Sequence, residues 1–101
     1  MKDVQVDLIF DEGAQRPGEP LPHGAALVFE DRGDVDSADY ALRLARPGLR
    51  RVSDWLADPL RRGESAARWA LLVDEDGRNH TVRAGIVRGE NAAAQNGRAS
   101  A

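Results

Sequence analysis

A chain of 101 residues and 11.0 kDa has room for one modest core and not for two. Its 42% hydrophobic and 31% charged residues describe a folded domain, not a disordered or fibrous segment. The absence of cysteine excludes a disulfide framework, thiol catalysis and thiolate metal sites, and a net charge of −3 argues against a simple basic nucleic-acid domain.

Residues 3–10 place Val4, Val6, Leu8 and Phe10 in alternation with Asp3, Gln5, Asp7 and Ile9, the period of a half-buried strand, with Ile9 as a mild break. Residues 11–22 hold three prolines, two glycines and three acids and read as a loop. Ala25–Phe29 is a short apolar run bounded by turn residues, the mark of a second, more buried strand. A helix is expected from about Ala38 to Arg46, capped by Asp36 or Ser37 and stopped by Pro47. In the next stretch Leu49, Val52, Leu56 and Leu60 recur at helical spacing beside Trp55, which predicts a second helical piece ending near Pro59.

Trp69, Leu71 and Val73 share one face of a third strand over residues 67–73. Asp76-Gly77 then supplies a hairpin turn into a returning strand at about His80–Val87. Gly85 inside that strand suggests a bulge or a close approach. The order β-β-α(α)-β-β describes an α+β domain over residues 1–88, β-grasp-like in outline, followed by a small, polar and flexible tail at 89–101.

The longest apolar runs, Ala25–Phe29 and Trp69–Val73, fall far short of the roughly 20 residues a membrane-spanning helix needs. No membrane partner is therefore expected. Asp3 and Asp7 interrupt the first apolar stretch and no small-residue cleavage site follows, so a secretory signal is not indicated and a cytoplasmic location is the default. Of the 14 basic residues 13 are arginine, a bias that GC-rich bacterial-type codon usage explains.

Charge is unevenly placed. Residues 1–42 carry ten acids against three bases, whereas residues 43–68 carry seven arginines against three acids. On a helix, Arg50 and Asp54, or Asp58 and Arg62, would pair at four-residue spacing. The same arginines could instead present a basic helical face to phosphates or to an acidic partner.

Catalytic chemistry finds little support. His23 and His80 lack a neighbouring histidine at metal-binding spacing, and neither lies near a glycine-flanked nucleophile. The ten glycines never make a phosphate-binding spacing. Asp74, Glu75 and Asp76 sit in a turn open to water, a poor setting for a perturbed general acid or base. No cofactor or metal is expected. In "EDRGDVDSAD", Gly33 falls at the glycine position of a calcium loop, but Val28 and Arg32 then occupy ligand positions. Arg32-Gly33-Asp34 matches an adhesion tripeptide only by three abundant residue types.

The expected function is thus a non-enzymatic interaction module, an adaptor, inhibitor or assembly component that binds a protein partner through a charged surface or a sheet edge. The alternatives are a nucleic-acid-binding regulator using an arginine-rich helical face and an enzyme whose site is scattered in sequence. Candidate binding residues are Glu30, Asp31 and Asp34, which helix capping leaves unassigned, with Arg50, Arg51, Arg61 and Arg62. Trp55 and Trp69 read as core anchors, and whichever is exposed becomes a candidate contact.

Overall fold

The structure, a computed structural model, describes residues 3–11 and 24–89. The chain runs through β1 (Asp3–Asp11), β2 (Gly24–Glu30), α1 (Asp34–Ala45), β3 (Arg50–Arg51), β4 (Leu56–Ala57), β5 (Ala66–Val73) and β6 (Asn79–Arg88). The strands make one sheet in the order β2-β1-β6-β5-β3, with β4 also paired to β5. Every pairing is antiparallel; β1–β2 and β5–β6 join strands consecutive in the chain, whereas β1–β6 joins its two ends and α1 carries the chain from the β2 edge to the β3 edge.

One face of this sheet holds the core. The alternation of β1 turns Val4, Val6, Leu8 and Phe10 to the same side, and register places Ile86, Ala84 and Val82 of β6 beside the last three. Ala70 and Leu72 of β5 extend the layer. Helix α1 covers it with Ala38, Ala41 and Leu42, whose three- and four-residue spacing forms a single apolar stripe. Leu49 and Trp55 complete the same cluster. Each large side chain buried here contributes roughly 1.5–3 kcal/mol relative to exposure.

Several details differ from the sequence expectation. The helix starts at Asp34, a turn earlier than Ala38, because Gly33 adopts a φ of +95° that lets the chain leave β2 and enter the helix directly. Neither Asp36 nor Ser37 is the cap. The Ser37 N–H donates to the Gly33 carbonyl at 2.8 Å, and the buried Ser37 hydroxyl accepts from the Arg32 N–H at 3.0 Å.

The second helical piece does not form. Residues 49–60 instead lie along the edge of β5, which offers backbone partners that a short isolated helix lacks. The Val52 N–H donates to the Leu71 carbonyl and the Asp58 N–H to the Ala67 carbonyl, both at 2.9 Å, while the Ser53 hydroxyl accepts from the Leu71 N–H. The expected pairs Arg50–Asp54 and Asp58–Arg62 are absent, since they required a helix.

In β5 the phase is opposite to expectation. Ala70 and Leu72 face the core, and Trp69, Leu71 and Val73 face away. The run is apolar at nearly every position, so its own pattern could not choose a face; pairing with Val82 and His80 chooses it. The turn at 74–78 is as anticipated: Gly77 takes a φ of +81° and the Asp74 carboxylate accepts from the Asp76 and Arg78 N–H groups. The uniformly antiparallel pairing gives the β-grasp likeness no support. The expected loop from 12 to 22 and the expected tail from 90 onward lie outside the described residues.

Candidate functional site

The sheet face turned away from α1 carries the candidate site. Antiparallel register aligns Ile9, Arg83, Trp69 and Leu56 in one row across β1, β6, β5 and β4, with Thr81 and Leu71 in the next. The segment after β4 folds over this row and grips Arg83. Nε donates to Asp58 at 2.8 Å, one terminal nitrogen to Glu64 at 2.8 Å, and the other to Glu64 at 2.7 Å and to the Pro59 carbonyl at 3.0 Å. The side chains of Arg83 and Glu64 are 12% and 8% exposed, so this is a largely desolvated pair with its polar atoms occupied.

Arg83 lowers the Glu64 carboxyl below its ordinary value, helped by the Arg61 N–H, and Glu64 in turn holds Arg83 more firmly charged. Glu64 reaches this position because Gly85 has no side chain. A Cβ there would stand 2.0 Å from its Oε2.

Beside the clamp lies a cleft of about 310 Å³ lined by Ile9, Asp58, Arg61, Trp69, Thr81 and Arg83. Its walls combine a half-buried indole with a hydroxyl and two guanidinium groups. Leu56 and Leu71, 44% and 41% exposed, extend the apolar surface next to Trp69. Arg50, opposite Val73 on β5, projects to this same face two strand steps beyond Leu71. The guanidinium groups of Arg50, Arg61 and Arg62 are exposed and make no ion pair among the described residues. An apolar strip edged by cations that carry no ion pair can bind a ligand.

The other candidate residues have structural employment. Arg51 points to the helix side, where it donates to Asp39 at 3.0 Å and also to the Ser53 carbonyl. Trp55 is 5% exposed and its indole N–H donates to the same Asp39 oxygen at 2.7 Å. Asp31 accepts from Arg88 at 2.7 and 3.1 Å, and Asp34 pairs with Arg88 and, at 3.9 Å, with Arg68. Arg88 and the Gly33 N–H pull the Asp31 carboxyl down to about 2. Glu30 is exposed at the end of β2 opposite Asp3. The arginine-rich helical face does not exist: Arg50 and Arg51 are on a strand, and Arg61 and Arg62 are in the segment after β4.

His80 does meet a carboxylate, with Nε2 2.7 Å from Asp74 Oδ2. Asp74 is consequently lowered, by His80 first and then by the Arg78 N–H, although it lies in an open turn. This pair belongs to the helix side of the sheet, opposite Leu72, whereas the cleft opens on the other side. Its hydrogen bonds, with Asp74 also holding the turn, describe a hairpin clasp. His23 lies outside the described residues. Among those described, no three metal-ligating side chains converge and no helix is long and apolar enough to cross a membrane.

Sequence reasoning missed Ile9, Thr81, Arg83 and the orientation of Trp69. Two signals were present: Ile9 as an apolar residue out of phase in β1, and Gly85 in a strand that otherwise carries side chains. No protein-family model matches the chain, and comparisons with curated proteins and with solved structures return no match.

Proposed function

We propose that the protein is a small interaction module that binds a partner protein across the open face of its sheet, as an adaptor, inhibitor or assembly component in the cytoplasm. The observation that carries this reading is the apolar surface of Leu56 and Leu71 beside Trp69, which lines the cleft together with Arg61. Tryptophan and arginine dominate binding energy at protein interfaces, where an apolar centre is ringed by polar groups. The clamp of Asp58 and Glu64 on Arg83 supports the reading, because it fixes the row from which the contact residues project.

A nucleic-acid reading draws on Arg61 beside the Trp69 indole and on Arg50 farther along the same face. Asp58 and Glu64 in the same region, and the overall charge of −3, favour a protein. The test is capture from the native host with wild-type protein and with the Leu71→Glu variant, which changes an exposed position. One protein retained by the wild type and lost by the variant, at equal urea stability, is the expected result. Equal retention by both removes the open face from the function.

A further inference from the structure

We infer that the segment received by this face is extended and acidic, with two carboxylates flanking an apolar side chain at alternate positions. The inference rests on the protein-binding reading and names the chemistry of its partner. Spacing carries it. Arg50 stands level with Val73 on β5, and the cleft that holds Arg61 is level with Trp69, four residues along the same strand. At about 3.3 Å per residue that separation is about 13 Å.

An extended segment turns residues i, i+2 and i+4 to one side and covers the same 13 Å or so. Its carboxylate at i would meet Arg50, its apolar side chain at i+2 would lie on Leu71 and Trp69, and its carboxylate at i+4 would meet Arg61. A helix needs seven or eight residues, about two turns, between carboxylates on one face to span that distance, whereas an extended segment spans it with four. The charge of the occupant follows from which groups remain unsatisfied. Of the carboxylates on this face, Asp58 and Glu64 are paired with Arg83 and Asp7 accepts from the Gln5 amide, while Arg50, Arg61 and Arg62 carry no ion pair among the described residues. At the cleft an incoming anion meets Arg61, and Arg50 stands two strand steps beyond Leu71.

The test uses three probes: a capped peptide with the core Glu-Thr-Val-Thr-Glu, the same peptide with both Glu replaced by Gln, and a single-stranded oligonucleotide of matched length. Binding is followed by calorimetry on the intact protein at low and moderate salt. The acidic peptide is expected to bind at least about tenfold more tightly than its Gln counterpart. Arg50→Gln and Arg61→Gln should each cost the acidic peptide roughly threefold to fivefold and leave the Gln peptide unchanged.

Equal affinity for the two peptides, abolished by Leu71→Glu, would overturn the acidic assignment and leave protein binding at this face standing. Binding of either peptide that ignores Leu71→Glu would overturn both. Preferential, steeply salt-dependent binding of the oligonucleotide would replace the protein partner by nucleic acid. Because Arg50 and Arg61 are exposed, both variants should retain the wild-type unfolding midpoint, and a shared midpoint is the control for folding.

Discussion

At the residue scale, Arg83, Glu64 and Gly85 act as one unit. Glu64→Gln removes the charge and one of the two oxygens that accept from a largely buried guanidinium, leaving Asp58, the Pro59 carbonyl and the amide oxygen, and should cost about 2 kcal/mol in urea unfolding, less than the 3–5 kcal/mol of a fully isolated buried charge. Gly85→Ala should cost about 1–3 kcal/mol, because its methyl displaces the Glu64 carboxylate from Arg83. The two losses share one cause. In the double variant Gly85→Ala/Glu64→Gln they should therefore be clearly less than additive, and additive losses would show that the clamp is not what Gly85 accommodates. Part of this was legible in sequence, since a glycine within a strand announces a close approach. That the approaching group would be a carboxylate from residue 64 was not legible, because nothing local links those positions.

At the scale of elements, α1 is fastened by side chains from both ends of its neighbourhood. Asp39 accepts from Trp55 and Arg51, and Asp31 and Asp34 hold Arg88. Trp55→Phe keeps most of the ring volume but removes the donor, so a loss of about 1 kcal/mol is expected from chemical unfolding. The Asp31 carboxyl lies at about 2 in the fold against 3.8 ordinarily. A depressed acid stabilises fully above its unfolded value, and that contribution disappears as pH falls from near 3.8 through about 2.

Glu64, also lowered, should begin to lose its contribution once the pH falls below 4.5. Wild-type stability should thus decline across this acid range. Asp31→Asn should remove about 1 kcal/mol near neutral pH, after allowance for solvent screening at a group 29% exposed, and flatten the lower part of the decline. An unchanged acid profile would remove Asp31 from the account. The long strands and the β5–β6 hairpin were readable because alternation and a glycine turn are local signals. Residues 49–60 were not, because their helical spacing competed with an open strand edge that exists only after β5 is placed.

For the whole molecule, the acidic first part and the arginine-rich middle of the chain fold into contact. Asp39 meets Arg51, and Asp34 meets Arg68, so much of the apparent charge separation along the sequence is spent internally. Asp31, Asp34 and Asp39 thus face the chain's own arginines. Arg50 and Arg61 stay outside these pairs and border the apolar surface around Trp69. Sequence identified the arginines as candidates but could not sort them, because Arg50 and Arg51 differ only in which side of a strand they occupy.

The most direct test of the open face as a binding surface is amide shift mapping on isotopically labelled protein titrated with the acidic peptide. The account predicts changes at Arg50, Val52, Leu56, Arg61, Trp69, Leu71 and Thr81, including the Trp69 indole N–H but not that of Trp55. Changes confined to the edge of β2, or to exposed helix positions such as Val35 and Leu44, with the open face silent, would contradict it.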